Sequence, residues 1–322
     1  MLKGLALTPP VIGRISIGRV VEKNGRRLPE KDDGFTITSQ VQNWDGWVLH
    51  PVDAVLRKEA SAKLRSIPVK LLFDDPDLSL RASYTMFDRT TGRPLCVGDG
   101  QTCKRVSLQG MQSLPCEGPQ ACAVGAPGGC RPYGRLNVRI DSQEALCDEM
   151  GSFVFRTTGF NSIRTLASRL RYLHAATGGM LASLPLELRL RGKSTTLSHG
   201  TPIYYVDLTT RQGTTLPQVI ALARKERKQQ AALGFDQAAL DEAAREGLAL
   251  GEFEESEEEG AVIVQEFYPD FEDEAHGSGD QAQAPSSSTA NLSSISPARP
   301  SLRTKLSRKL EDGASVQGVA HA

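Results

Sequence analysis

The chain has 322 residues, 39 % of them hydrophobic, and its 38 Lys+Arg balance its 38 Asp+Glu. That length holds one large domain or two ordinary ones, and the modest apolar share implies that part of the chain is not packed. The zero net charge averages two unlike regions: from Glu252 onward there are 14 acidic and 5 basic residues, which leaves 24 acidic and 33 basic residues before it. A basic body with an acidic tail points to a body that meets polyanions or acidic protein surfaces. No run approaches the ~18 apolar residues of a spanning helix. Pro9 and Pro10 end the first apolar run too early for a signal-peptide core. The expected setting is therefore cytoplasmic, without a membrane, where thiols stay reduced and clustered cysteines more often hold metal than form disulfides.

In chain order, VIGRISIGRVVE alternates Ile15 and Ile17 with Arg14, Ser16 and Gly18, the period of a half-buried strand. Asn24-Gly25 is a turn signal, and GFTITSQV is the next strand. Trp44 and Trp47 flank an Asp-Gly turn and either close the edge of a β core or form a stacking surface. A short helix is expected around Val55 to Leu64, followed by strands in IPVKLLF and SLRASYTMFDR. Residues 95–131 are rich in Gly, Pro and Cys and show little periodicity, so they read as a loop insert. RLNVRI and SFVFRTTG are two further strands. Asn161 has the character of an N-cap, with Ile163, Leu166, Leu170 and Leu173 at helical spacing after it and Gly178-Gly179 as the stop. LPLELRLRG and TPIYYVDLT close the series of strands. Two polar helices are expected at about 215–250, and then a disordered acidic and Ser-rich tail from about Glu254. Within that tail VIVQEFYPDF and LRTKLSRKL are candidate docking segments.

Five of the six cysteines lie between Cys96 and Cys130 in the pattern C-x6-C-x12-C-x5-C-x7-C, with Cys147 outside it. Structural zinc takes four thiolate or imidazole ligands in a tetrahedron, and such an ion can order a segment that lacks an apolar core. Cys116, Cys122 and Cys130 are the first candidates. Cys103, beside the cations Lys104 and Arg105 that favour a thiolate, is the fourth, with Cys96 as the alternative fourth ligand. The competing reading is that these are buried small apolar thiols. No HExxH, P-loop, GxGxxG or GxSxG motif is present. Four thiolates would also close the coordination sphere, so no catalytic residue is assigned and no enzyme is expected.

The series GRISIG, FTITS, the cysteine cluster ending CRPYGRLNVRI, GSFVFRTTGFNSIRTL and LPLELRLRGKST resembles the recombination directionality factors of phages and integrative elements that use large serine integrases. The likeness covers roughly residues 11–211. It is most specific at Cys130, Pro132, Arg135, Leu136, Asn137 and Val138, and relatives of this kind often carry the label "hydrolase or metal-binding protein". The resemblance implies a non-enzymatic regulator that binds the integrase of its own element, meets DNA indirectly through it, and favours excision over integration. Arg131, Arg135, Arg139, Arg156, Arg164, Arg169 and Arg171 are then candidates for the partner-binding face. Two alternatives stand beside this reading: a DNA-binding replication or maintenance accessory of a mobile element, and a metal-dependent hydrolase.

The fold expected is α+β, with a strand-dominated body over residues 1–211, a cysteine-rich zinc-binding insert at 96–130 and one central helix at 161–177. A helical extension at 212–251 and a disordered acidic, Ser-rich tail at 252–322 complete it.

Overall fold

The computed structural model describes residues 10–23, 26–43, 46–57, 59, 62–125, 129–142, 150–194, 196, 202–250, 263–264 and 267–268. The chain divides into two units, Met1–Asp270 and Phe271–Ala322, and all described residues belong to the first. The expected disordered tail, the basic LRTKLSRKL stretch, Trp44 and Cys147 lie outside the described residues, with 263–264 and 267–268 the exceptions within the tail.

The architecture is α+β, as the alternation implies. In chain order the elements are β1 (Val11–Lys23), β2 (Arg26–Asn43), β3 (Gly46–Leu49), α1 (Pro51–Arg57), β4 (Ser66–Leu71), α2 (Pro76–Ser79) and β5 (Leu80–Phe87). Then come β6 (Pro94–Gly98), β7 (Thr102–Ser107), β8 (Gly110–Pro115), α3 (Gly118–Ala121), β9 (Cys130–Ile140), β10 (Ser152–Thr157) and α4 (Phe160–Thr177). The series ends with β11 (Leu186–Lys193), β12 (Ile203–Thr210), α5 (Leu216–Ala232) and α6 (Gln237–Leu250). The twelve described strands form one sheet, ordered β3-β2-β1-β10-β9-β5-β6-β7-β8, with β4, β11 and β12 on a branch. Among the described pairings only β1–β10 is parallel.

The branch point is β9. Its first half pairs with β5 from Cys130 to Leu136, and its last residues, Val138 to Ile140, pair with β4. Alternation along this strand separates two faces. Gly134, Leu136, Val138 and Ile140 face α4 and the main core, whereas Arg131, Tyr133, Arg135, Asn137 and Arg139 face the other way. Gly134 permits that approach: a Cβ there would stand 2.9 Å from Cγ1 of Ile163 on α4.

The helix α4 buries Ile163, Leu166, Leu170 and Leu173, the residues whose spacing predicts it. Leu166 and Leu170 are fully buried, each worth roughly 1.5–3 kcal/mol relative to exposure. Its start differs from expectation. Gly159 is the N-cap and Asn161 lies inside the first turn, where its Oδ1 accepts a 2.8 Å bond from Lys193 Nζ. The stop is as expected, with Gly178 left-handed at φ 69°.

Two further expectations are corrected. The first helix spans Pro51–Arg57, not Val55 to Leu64. Arg57 closes it by donating to Asp53 Oδ1 at 2.5 Å, Ala62 O at 2.9 Å and Phe35 O at 2.6 Å, which ties the end of the helix to β2 and to the chain that follows. The cysteine-rich segment is not a loop insert: residues 94–115 form the antiparallel meander β6–β7–β8, which extends the sheet. Its strands carry no apolar alternation because one face of β7 and β8 is exposed and the other, only partly covered, carries Cys103, Arg105, Gln112 and Leu114. The inward positions that do exist are occupied by Cys96 and Cys103, 8 % and 3 % exposed.

The helices α5 and α6 pack on the body. Val219 and Ala223 of α5 join the main core, and Ala244 of α6 meets Leu72, Phe73 and Leu78. Asp241 of α6 accepts from the backbone N–H groups of Asp74 and Asp75 at 3.0 and 3.2 Å.

Candidate metal centre and its surroundings

The strand registers bring the thiols of the meander to one face. Cys130 on β9 is opposite Met86 on β5, Met86 is opposite Cys96 on β6, and Cys96 is opposite Arg105 on β7. One pleat further along the same face, Gly98 is opposite Cys103, and Cys103 is opposite Leu114 on β8. Cys116 follows two residues after Leu114, and its N–H donates to Gln101 O at 2.8 Å. Gly98 is what lets them converge. A Cβ at Gly98 would lie 2.7 Å from Cys103 Cβ, 2.9 Å from Cys116 Sγ and 2.9 Å from Thr102 O. Gly125 plays the same part on the far side, where a Cβ would meet Cys130 Cβ at 2.8 Å and Cys122 Cβ at 3.8 Å.

All five of these cysteines are free. Among the described residues no three His, Cys, Asp or Glu side chains stand close enough together to hold an ion as they lie. The row is thus a neighbourhood of thiols and not a formed coordination sphere. Its chemistry suits a soft or borderline cation: the donors are sulfur, they come from five separate segments, and two glycines let the thiols beside them approach closely.

The electrostatics divide the five. Burial, followed by the neighbouring Cys96, pushes the Cys103 thiol up to about 11; Arg105 pulls it down, but by less. Arg105 thus favours a thiolate at Cys103 as expected, but burial outweighs it. Burial, with Cys96, Cys116 and Cys122 nearby, likewise pushes Cys130 up to about 11. Cys122 moves the opposite way: N–H groups of Gly125 and Val124 lower it, helped by Arg105, whose Nη2 lies 3.5 Å from its sulfur. Thiols held neutral by burial and by each other give up their protons when a divalent cation replaces those protons.

The seven arginines expected at a partner face fall into two sets. Arg131, Arg135 and Arg139 share the face of β9 that points away from α4, and Arg135 stands between Arg81 on β5 and Arg156 on β10. Lys70 of β4 is opposite Arg139, and Arg14 of β1 is opposite Val154, stacked over the Trp47 ring at 4.5 Å. At the centre of this basic face Asn137 is 1 % exposed, and among the described residues neither atom of its amide is hydrogen-bonded. Arg164, Arg169 and Arg171 are on α4, across the sheet from this face. Arg169 donates its Nε to Asp207 Oδ1 at 2.9 Å, an anchor it shares with Arg191. Sequence reasoning missed Arg81, Arg14 and Lys70, which only strand register brings into this set.

A second feature borders the thiols. Ile263, Phe267 and Tyr268 are buried against Phe87 and Tyr133 in a cluster of their own, with Val264 beside them. The Phe267 ring meets Phe87 edge-on at 4.8 Å and Tyr133 at 5.9 Å. The Tyr268 hydroxyl donates to Gly129 O at 2.6 Å and accepts from Phe87 N at 3.2 Å. Phe87 and Gly129 are the next positions after the Met86–Cys130 pair, so the hydroxyl bridges the ladder where it opens. Arg131 Nη1 donates to Phe267 O at 3.0 Å, and the guanidinium groups of Arg89 and Arg131 lie over the Tyr268 ring.

A family model described as Gp3-like, recombination directionality factor-like, matches residues 12–211. The chain belongs to the recombination directionality factor-like family. The matched stretch takes in the sheet, α4 and the thiol row, while α5, α6 and the Ile263–Tyr268 contact lie beyond it. No curated protein and no solved structure matches the chain. Membership of this family gives the chain a role in the regulation of recombination. No described helix is long and apolar enough to cross a membrane.

Proposed function

We propose that this chain is a non-enzymatic, zinc-binding regulator of site-specific recombination, which binds the serine integrase of its own mobile element and favours excision over integration. The observation that supports the metal part is the gathering of five thiols on neighbouring segments, with Cys103 and Cys116 packed at Gly98, Cys122 and Cys130 packed at Gly125, and Cys96 on β6 beside them. Cys103, Cys116 and Cys130 are three of the ligands, and Cys122 or Cys96 is the fourth. When bound, zinc supplies a rigid cross-link between four chain segments and no reactive position. The family supports the recombination part.

Such a regulator works by population shift. It must bind the excision-competent arrangement of the integrase more tightly than the integrative one, and moving the balance from 1:99 to 99:1 takes about 5.5 kcal/mol of differential affinity. A few well-packed contacts of ~2 kcal/mol each suffice, without bond chemistry in the factor itself. The exposed Arg164, Arg169 and Arg171 of α4 and the sheet edge at the thiol row are the surfaces that would make them, since Arg135 is only 6 % exposed. The test is co-purification with the co-encoded serine integrase, without DNA, followed by recombination assays on attL × attR and attB × attP. Binding together with a switch from integration to excision supports the reading; failure to bind any co-encoded recombinase ends it.

The excess of 33 basic over 24 acidic residues before Glu252 favours one alternative, a DNA-binding accessory protein. That reading requires a gel shift at low salt, with affinity falling steeply as salt rises.

A further inference from the structure

The Ile263–Tyr268 contact lies outside the matched stretch and puts a short segment of tail on the body, at the end of the β5–β9 ladder next to Cys130. The segment is an apolar island. Six glutamates fall between Glu252 and Glu259 before it, and beyond it Pro269 opens a stretch rich in acid, Gly and Ser. In the docked form Ile263, Val264 and Phe267 are helical and Tyr268 N donates to Val264 O at 2.8 Å, so Ile263 and Phe267 share one face at i, i+4 spacing. The groove that receives it has an apolar floor of Phe87 and Tyr133, one backbone donor (Phe87 N) and one backbone acceptor (Gly129 O) aimed at a hydroxyl, and two guanidinium groups over an aromatic ring. An apolar floor, a matched polar pair and flanking cations make a recognition site for a short helical motif.

We propose that this groove is a partner-docking site for a helical turn carrying an apolar residue four positions before a Phe-Tyr pair, and that the chain's own Ile263–Tyr268 turn closes it in cis. The partner is the recombinase, so the inference rests on the function proposed above, though the groove can be tested without it. The twelve residues between Leu250 and Ile263 span at most about 40 Å when extended, which keeps the turn near the groove at an effective concentration in the mM range. For a motif that binds in trans with a Kd on the order of 0.1 mM, the groove is then closed about nine-tenths of the time. An external ligand therefore binds the intact chain about tenfold more weakly than an opened one.

The probe is a fluorescein-labelled peptide of residues 261–270, titrated by anisotropy into the full-length chain and into a full-length Phe267→Ala/Tyr268→Ala variant. The variant is expected to bind about tenfold more tightly, and a peptide carrying the same two substitutions should bind neither. Equal affinity for both chains, or no binding to the variant while circular dichroism shows it folded, overturns the proposal. A variant that does not fold also overturns it, because a turn the body cannot lose is part of the core. In full-length Tyr268→Phe, loss of only the hydroxyl should open the groove partway and give an intermediate affinity; an affinity equal to that of the wild type counts against the matched polar pair. A second arm uses the integrase, which should bind the opened chain more tightly and be displaced by the peptide. Integrase that binds both chains equally and ignores the peptide overturns the partner assignment. Integrase that binds neither chain, while the peptide result holds, removes the function proposed above and with it the partner, leaving only the cis contact.

Discussion

Gly98→Ala isolates the thiol row from the rest of the fold. A methyl group there would stand 2.7 Å from Cys103 Cβ, 2.9 Å from Cys116 Sγ and 2.9 Å from Thr102 O, all closer than ordinary packing permits. The side chains cannot simply rotate away, because Cys103 Cβ and Thr102 O are fixed by the backbone of β7, which is hydrogen-bonded to β6 and β8. The β6–β7 pair must therefore part by several tenths of an ångström. Overpacking of this kind costs roughly 1–3 kcal/mol. The main core contains neither Gly98 nor its neighbours, so the damage should stay in the meander. The expected result is loss of most bound zinc by elemental analysis, with far-UV circular dichroism and the main unfolding transition little changed. Gly110→Ala is the control. It forces alanine to φ 101° at the β7–β8 turn, where no atom comes within 4 Å of the new methyl, so it should cost about 1–2 kcal/mol locally and retain the metal. A Gly98→Ala protein that holds zinc at wild-type stoichiometry and affinity would refute the idea that the ion binds beside Gly98.

The fourth ligand is decided by a pair of substitutions: Cys96→Ser and Cys122→Ser differ in metal content if only one thiol coordinates, whereas equal retention in both would mean that neither is needed. Leu166→Ala on α4 removes a fully buried side chain from the main core and should lower stability by about 2–5 kcal/mol in urea unfolding; a loss under 1 kcal/mol would show that α4 is not clamped to the sheet as described. Asp241 gives a pH-dependent prediction. Burial raises its carboxyl above the usual range, against the donors Gln237, Asp75 and Asp74. A raised folded value contributes stability that is complete below the unfolded value of ~3.9 and is lost as pH rises through the folded value. The stability of the wild type relative to Asp241→Asn should therefore be greatest near pH 4 and shrink toward neutrality; a difference that grows with pH contradicts the assignment.

Legibility in the sequence followed burial. The apolar spacing of Ile163, Leu166, Leu170 and Leu173 predicts α4 because one face of that helix is buried and the other is not. LPLELRLRG reads as a strand, and Leu186 and Leu188 are fully buried in β11. The meander escaped detection for the opposite reason. With one side of β7 and β8 exposed and the other only partly covered, little selects apolar residues at every second position, and Gly and Pro in the turns dominate the pattern. The cysteines were visible as a cluster, but spacing alone left Cys96 in reserve, whereas its place between Met86 and Arg105 puts it next to Cys103 and Cys130. The grouping of Arg135 with Arg81 and Arg156 depends on long-range register, which no local pattern encodes. VIVQEFYPDF stood out as an apolar island in an acidic tail. Its seat is formed by Phe87 and Tyr133, far away in sequence, and could not be inferred from the island itself.

The thiol row and the tail contact meet at three consecutive residues. Gly129 gives its carbonyl to Tyr268, Cys130 gives its sulfur to the row, and Arg131 gives its guanidinium to Phe267 O. An ion that fixes Cys130 therefore also fixes the two groups that hold the tail. Linkage makes the effect reciprocal: if zinc strengthens the groove for its helical turn, occupancy of the groove strengthens zinc by the same factor. For a Phe267→Ala/Tyr268→Ala protein, removal of the ion with a chelator should weaken binding of the 261–270 peptide, and saturating peptide should slow zinc release to the same chelator. A coupling of 1–3 kcal/mol, about 5- to 150-fold, is the range expected of two sites joined through one rigid strand end. Peptide affinity that is the same with and without zinc would mean that Gly129 and Arg131 are held by the β5–β9 ladder alone, and that the ion serves only the meander.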